Sequence, residues 1–161
     1  MKSNNILYLM AGSLIAFIFG VAITIIIPAI QATGPTALAR RYTAEELRGR
    51  EIYKREGCWY CHTQQVRAPE ANKGMVHQPG DIGPESIEGD YYYQSPVFWG
   101  TERQGPDLTH VASRPSTSTR EWHILHLKDT RAFNPGTLMP SFAYLPDREL
   151  NDLASYILTL K

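Results

Sequence analysis

Cys58-Trp59-Tyr60-Cys61-His62 is the stretch that decides how the soluble part of this chain folds. Two cysteines three positions apart, followed directly by a histidine, form the C-x-x-C-H pattern of covalent haem c attachment. The thiols can reach the two vinyl-derived carbons on one porphyrin edge, and the imidazole then lies under the iron as its proximal ligand. The motif uses both cysteines of the chain. We therefore expect one covalently attached haem c and no disulfide.

Two other uses of a cysteine pair fit this sequence less well. A structural zinc site needs four ligands, but the chain has no second C-x-x-C pair, and His77 and His110 match no zinc-finger spacing. A thioredoxin-like redox pair belongs to a strand and helix context, whereas an acidic segment of helical character precedes Cys58.

The iron needs a sixth ligand, and Met139 is the leading candidate. It follows the turn-forming Asn134-Pro135-Gly136 and precedes Pro140, so a stiff loop can present its sulfur to the metal. A thioether opposite imidazole raises the reduction potential and closes both axial positions, which favours electron transfer over oxygen binding. A gap-filling core methionine is the other interpretation of Met139. The remaining candidate ligands are Met75, His77, His110, His123 and His126.

Further contacts to the haem are predicted from two groups of residues. The Pro106 carbonyl can accept a hydrogen bond from the second ring nitrogen of His62 and so fix its tautomer. An ordinary β-turn explains Gly105-Pro106-Asp107-Leu108 equally well. The side chains with donors for the haem propionates, each of which can also be an ordinary surface group, are Trp99, Arg103, Arg114 and Arg131.

Helix signals lie on both sides of the motif. Thr43 and Glu46 have capping-box spacing and predict a helix from about Thr43 to Glu56 that ends at Gly57. Ser118 and Glu121 have the same spacing and predict a helix from about Thr119 to Asp129. A last helix is predicted from apolar residues that recur with helical periodicity, namely Leu150, Leu153, Ala154, Ile157 and Leu158.

The segments between these helices are irregular. No long run alternates like a strand, and residues 63–118 contain most of the glycines and prolines of the soluble part. The fold class is therefore mostly α with long loops. Residues 70–98 carry five acidic side chains against one lysine and include Tyr91-Tyr92-Tyr93. We interpret that segment as a solvated loop with packed aromatics, in preference to a contact site.

An uncharged run of 25 residues, ILYLMAGSLIAFIFGVAITIIIPAI, occupies positions 6–30. Since about 20 apolar residues cross the hydrocarbon core as a helix, this run predicts a single transmembrane span. A cleaved signal peptide is the alternative, because Ala37-Leu38-Ala39 resembles a cleavage site. We expect an anchor and short linker over residues 1–39 and a soluble haem domain over residues 40–161. Haem c is assembled outside the bacterial inner membrane, so the N-terminus should be cytoplasmic and the haem domain periplasmic or extracellular.

The charge balance excludes general nucleic-acid binding. Sixteen basic and sixteen acidic residues give a formal net charge of +0, whereas a protein that binds phosphates nonspecifically needs a basic surface.

Several motifs occur in the same order as in a known family. The chain resembles the membrane-anchored monohaem cytochrome c subunit of cbb3-type cytochrome c oxidases from Tyr42 to about Leu145, and a single N-terminal span belongs to that pattern. The matching motifs are Cys58 to Arg67 (CWYCHTQQVR), Trp99-Gly100, Arg103, Gly105-Pro106-Asp107-Leu108, Trp122-His123, His126-Leu127 and Met139-Pro140-Ser141-Phe142. Residues 67–99 match the pattern poorly.

This resemblance implies a class I cytochrome c fold with His62 and Met139 as axial ligands. It also implies an electron relay from a cytochrome c donor to the haem b and haem b3-copper centres of a catalytic subunit, so this subunit is not an enzyme by itself. The first and last helices of such domains cross closely, and Gly49, with Tyr53 facing Tyr156, permits that approach. Rival functions are the small cytochrome c subunit of a nitric oxide reductase, a stand-alone membrane-tethered shuttle, and a haem enzyme or gas sensor.

Overall fold

The structure, a computed structural model, describes residues 3–32, 34–74 and 82–161. The regular elements within these residues are helices, and no strand is present among them, as the sequence predicts. Two candidate iron ligands from the sequence, Met75 and His77, lie outside the described residues.

A long apolar helix opens the chain. Helix α1 (Ser3–Val21) continues through a π-helical turn (Ala22–Ile26) into α2 (Ile27–Gln31). The candidate span, Asn5–Gln31, has 27 residues. Its most apolar 18-residue window has a mean hydropathy of 2.6, and none of that window is buried against the rest of the chain. An apolar helix with no protein cover fits a membrane anchor, in agreement with the predicted span over residues 6–30.

The first helix of the soluble part is α3 (Ala44–Arg55). Thr43 caps it through the predicted capping box, in which Glu46 N–H donates to Thr43 Oγ1 and Thr43 N–H donates to Glu46 Oε2. Gly57 ends the helix with a φ of 72°, a left-handed conformation that favours glycine. Both predicted boundaries are therefore confirmed.

The last helix, α6 (Asp147–Ile157), packs across α3. At the crossing, a Cβ on Gly49 would overlap the Asp152 carbonyl and lie 2.9 Å from Tyr156 Cβ, so the two backbones meet without a side chain between them. The rings of Tyr53 and Tyr156 touch edge to face, with centroids 5.4 Å apart. The close crossing expected from the sequence is present.

Helix α4 (Arg120–Lys128) has a different cap from the predicted one. Thr119, not Ser118, accepts the hydrogen bond from Trp122 N–H, whereas Ser118 Oγ donates to the Pro115 carbonyl. The reason lies in the backbone: Thr119 is extended, as a capping residue must be, whereas Ser118 is helical. The prediction of Ser118 as the capping residue was therefore wrong by one position. A short helix, α5 (Thr130–Phe133), follows and was not predicted.

The apolar core lies among α3, α4, α6 and the connecting segments. Its buried members are Ile52, Tyr53, Phe98, Val111, Leu127, Phe142, Leu145, Leu150, Leu153, Tyr156, Ile157 and Leu160. Among the partly buried side chains that pack against it are Cys58, Trp59, Leu108 and Met139. The candidate site therefore borders the core.

Candidate functional site

The C-x-x-C-H motif forms a single tight turn at the end of α3. Gly57 redirects the chain into a 3₁₀ turn over Cys58–Tyr60. The N–H groups of Cys61 and His62 both donate to the Cys58 carbonyl, at 3.2 and 3.0 Å. Both thiols are free. The turn thus presents two sulfurs and an imidazole within five consecutive residues.

The His62 imidazole is held in one orientation. Its Nδ1 lies 2.7 Å from the Pro106 carbonyl oxygen, so Nδ1 carries the proton and Nε2 keeps its lone pair. The Gly105 backbone covers the ring, because a Cβ there would overlap the imidazole and lie 2.8 Å from Nδ1. The sequence allowed either this hydrogen bond between His62 and Pro106 or an ordinary β-turn, and the hydrogen bond is present. It leaves Nε2 free to act as a metal ligand.

Burial keeps the His62 ring neutral. The side chain is 9% exposed, and loss of solvation lowers its pKa, against the opposing effects of the Pro106 carbonyl and the Asp107 charge. A neutral imidazole is the form that binds a metal.

A buried carboxylate fixes the segment that follows His62. Asp107 has no exposed surface, and its Oδ2 accepts from Thr63 Oγ1 at 2.5 Å and from Gln65 N–H at 3.1 Å. Its Oδ1 accepts from Thr109 N–H at 2.8 Å. Sequence reasoning did not single out Asp107 or Thr63. The signal was the Gly-Pro-Asp order, in which an Asx-type turn bonds its own backbone two residues later.

Arg103 also stabilises the segment that follows His62, through hydrogen bonds to Thr63 and Gln65. Its Nε donates to Thr63 Oγ1 at 2.6 Å and its Nη2 to the Gln65 carbonyl at 2.7 Å, while Nη1 pairs with Glu70 at 2.7 Å. All three guanidinium nitrogens therefore have protein partners. These bonds give Arg103 a structural role, and its expected contact to a haem propionate stays a prediction. Arg114 is likewise buried and donates to the Asp107 carbonyl.

Trp99 lies beside the turn. Its carbonyl accepts from Gln64 N–H at 3.0 Å, and its ring meets Tyr91 edge to face with centroids 5.8 Å apart. The neighbouring Gly100 has a φ of 71°, and a Cβ there would lie 2.7 Å from the His62 carbonyl oxygen. The Trp99 side chain is 46% exposed, so its expected donation to a propionate stays a prediction.

Met139 lies on a loop that is fixed at both sides. Its N–H donates to Thr137 Oγ1 at 3.1 Å, and its carbonyl accepts from Thr130 Oγ1 of α5 at 3.0 Å. Its side chain is partly buried against the core that Cys58 also contacts. These bonds give the stiffness that the sequence predicted for the loop. They leave Met139 as a fixed thioether beside the core, but its role as a ligand stays a prediction.

The alternative histidine ligands are spread over two regions. His110 packs against Gly83, where a Cβ would overlap the imidazole ring. His123 is 4% exposed, and burial lowers its pKa to about 4. The His126 ring stacks on Trp122 at 4.7 Å, and its Nδ1 has no hydrogen-bond partner among the described residues.

His126 is the alternative that best rivals Met139. Its Nδ1 is buried without a hydrogen-bond partner among the described residues, and burial, with a smaller contribution from His62, lowers its pKa. The Phe133 ring contacts the rings of both His126 and Trp122, with its centroid 5.2 Å from that of His126 and 5.4 Å from that of Trp122.

The donor set fits a covalent haem. Burial raises the pKa of the Cys58 thiol to about 12, so this site disfavours a thiolate and suits a neutral thioether. No group of three or more His, Cys, Asp or Glu side chains is gathered within residues 3–32, 34–74 and 82–161 as a metal cage would require. The remaining donors are the His62 imidazole, the Cys58 and Cys61 thiols and the Met139 thioether. This set fits an iron whose other ligands are porphyrin nitrogens.

Comparison with known proteins agrees with this site. The family model for the cytochrome C oxidase mono-heme subunit, FixO, matches residues 1–158, which include both the apolar helix and the C-x-x-C-H turn. No curated protein matches the chain.

Proposed function

This chain belongs to the FixO family of cytochrome c oxidase mono-haem subunits, and we propose that it relays electrons to the catalytic haem-copper subunit of a cbb3-type oxidase. The haem c would be attached to Cys58 and Cys61, with His62 and Met139 as its axial ligands. Electrons would come from a cytochrome c donor. Family membership itself gives one haem and a place in an oxidase complex.

One observation carries the proposal: the Pro106 carbonyl, 2.7 Å from His62 Nδ1, orients a buried imidazole directly after the two thiols. A surface histidine would gain little from such a bond. A proximal ligand gains a fixed tautomer, a fixed ring plane and greater basicity at Nε2.

A bound haem supplies one-electron chemistry between ferric and ferrous iron. The chain's own residues tune that chemistry. The Met139 thioether opposite His62 would raise the reduction potential and, with both axial positions filled, leave no site for oxygen. This subunit would therefore carry electrons without reducing oxygen itself.

The two cysteines would hold the haem permanently. Each thioether forms when a sulfur and its hydrogen add across a vinyl double bond, so no oxidant is needed. Attachment keeps the cofactor in a chain whose connecting segments, among the described residues, have only short 3₁₀ turns between α3 and α4. The haem then acts as part of the core.

The apolar helix would tether the haem domain, residues 40–161, to the bacterial inner membrane. Because haem c is assembled outside that membrane, the N-terminus would be cytoplasmic and the haem domain periplasmic or extracellular. A tether raises the effective concentration of the haem domain at its partner.

Purification of the full chain from membranes in mild detergent tests the function. We expect haem b and copper to co-purify with the haem c. Haem b with non-haem iron would instead indicate a nitric oxide reductase, and haem c alone would indicate a free shuttle. Either result would overturn the oxidase assignment.

A further inference from the structure

The segment that joins the span to α3 is fastened to the haem domain. Thr36 N–H donates to the Gly89 carbonyl at 3.2 Å, and Thr36 Oγ1 donates to Asp90 Oδ1 at 2.6 Å. Thr36 also closes a local turn, because its carbonyl accepts from Ala39 N–H at 3.2 Å. A linker would be expected from Gly34-Pro35 to move freely, yet here it has a defined docking point.

The docked segment continues to the start of α3. The Arg41 guanidinium lies over the Tyr93 ring, 4.3 Å from its centroid, in cation–π geometry. The Tyr42 ring meets Tyr156 of α6 edge to face at 5.8 Å. Residues 34–42, which we call the strap, are therefore held by hydrogen bonds and aromatic contacts along their length.

The receiving surface is itself tied to the haem motif. The strap docks on the turn Glu88–Tyr91. The buried Tyr91 hydroxyl donates to the Gln64 carbonyl at 2.6 Å, two residues after His62. Ser86 N–H donates to the Val66 carbonyl at 3.0 Å. The strap is thus linked through this turn to the backbone beside the proximal histidine.

Chain length limits how far this turn can lie from the membrane. The apolar helix ends at Gln31, and five peptide units (36 − 31 = 5) lead to Thr36. Five extended residues reach at most about 18 Å. Because Thr36 bonds to Gly89 and Asp90, these two residues of the turn Glu88–Tyr91 must lie within that reach, plus one hydrogen-bond length, of the end of the span.

We propose that the strap fixes which face of the haem domain is turned to the membrane. The acidic, tyrosine-rich turn holds the strap, prevents the domain from swinging on its anchor, and so keeps the haem at a constant distance from its acceptor. The docking stands on these contacts alone, whereas its effect on electron transfer rests on the proposed function. The sequence interpretation of residues 70–98 as a solvated loop with packed aromatics is extended by this proposal, because residues 88–93 also receive the strap.

Limited trypsin digestion of the full chain in its detergent-solubilised complex tests the docking. Trypsin cleaves after Arg40 and Arg41, which lie within the strap. We expect docking to protect these peptide bonds, because it holds the strap backbone in place. Asp90→Ala and Thr36→Val each remove one partner of the hydrogen bond, and we expect cleavage to be about tenfold faster in both. The matched control is Glu85→Ala, which removes a carboxylate from the same loop and should leave the rate unchanged. Equal rates in all four proteins would overturn the proposal.

A spin label at Ala37→Cys provides a second readout if partner subunits shield the cleavage sites. We expect the label to be immobilised with Asp90 present and to move several-fold faster in Asp90→Ala. Equal mobility would overturn the docking.

Flash-induced electron transfer from the haem c separates the two parts of the proposal. In Asp90→Ala we expect a spread of rates in place of a single phase. Unchanged kinetics with a mobile strap would overturn the positioning role. The cofactor content of the purified complex decides the oxidase assignment independently, so failure of one proposal is not failure of the other.

Discussion

Gly105 shows how a single residue can set the orientation of His62, the proposed proximal ligand. Its backbone covers the His62 ring so closely that no side chain fits between them. Next to it, Pro106 supplies the carbonyl that fixes the tautomer. These two residues act together, because the first limits the position of the ring and the second its rotation.

Gly105→Ala should therefore displace the imidazole. We expect the free energy of unfolding of the haem-loaded chain to fall by about 1–3 kcal/mol, as for other overpacked sites, with a fraction of the haem becoming high-spin. Guanidinium denaturation and the Soret spectrum measure both effects. Gly136→Ala is the control, because a Cβ there would meet only Asn134 Oδ1, at 3.7 Å. Equal stability of the two variants would contradict the close packing at Gly105.

Met139→Ala tests the sixth ligand. We expect the haem to stay attached while its reduction potential falls by on the order of 0.2 V, within the ~0.8 V that axial ligands span. The reduced iron should also become able to bind carbon monoxide. Redox titration and carbon monoxide difference spectra are the measurements.

His126→Phe is the matched variant for that test, since it removes the rival ligand and keeps an aromatic ring beside Trp122. We expect its potential to stay close to that of the unmodified chain. A large fall in His126→Phe together with an unchanged potential in Met139→Ala would assign the ligand to His126.

His123 should make the domain less stable in acid. Burial lowers its pKa from 6.5 to about 4, so between these values the unfolded chain binds a proton that the folded chain does not. Stability contributed by this residue therefore falls as the pH drops from about 6.5 to 4. The loss approaches ~3 kcal/mol at its limit.

Denaturation of the haem-loaded chain at pH 7 and pH 4.5 measures this effect. His123→Phe should lose less stability than the unmodified chain over that interval, because it has no proton to gain. Equal losses would show that His123 does not titrate in the folded state in this way.

At the scale of elements, the crossing of α3 and α6 depends on Gly49. Gly49→Val would drive a branched side chain into the Asp152 carbonyl and Tyr156. We expect a loss of about 3 kcal/mol or more in the free energy of unfolding, measured by guanidinium denaturation. Leu47→Ala is the control, because this side chain on α3 is 50% exposed. A harmless Gly49→Val would mean that the helices do not cross at this point.

The helices differ in how far the sequence could predict them. Capping and periodicity located α3 and α6, since Thr43 with Glu46 and the apolar stripe of α6 are local signals. The cap of α4 was misplaced by one residue because Ser118 and Thr119 carry the same capping group. Only the preceding 3₁₀ turn decides which of them is extended.

The same distinction between local signals and long-range contacts applies to the candidate site. The C-x-x-C-H turn is local, and the Pro106 contact to His62 was one of two interpretations that the sequence allowed. The bonds of Arg103 to Thr63, Gln65 and Glu70, which are 33 to 40 positions away, were in contrast not predicted. Such contacts depend on the folded loops, and charge patterning along the chain does not reveal them.

At the scale of the whole molecule, the chain joins an apolar helix long enough to span a membrane, the strap and the proposed haem domain in series. The described part of the soluble domain has four α-helices, and a single apolar cluster connects three of them, α3, α4 and α6. Long connecting segments on that small core are stable when a large apolar cofactor completes it. The family match over residues 1–158 includes all three parts.

Covalent attachment is the claim on which the electron relay and the membrane topology both depend. The most direct measurement is the visible spectrum and intact mass of the full chain after denaturation and washing with acidified acetone, which removes haem that is not covalently bound. We predict a coloured chain that carries one haem, and a colourless chain when Cys58→Ser is combined with Cys61→Ser. A colourless unmodified chain, with the mass of the polypeptide alone, would contradict the attachment at Cys58 and Cys61.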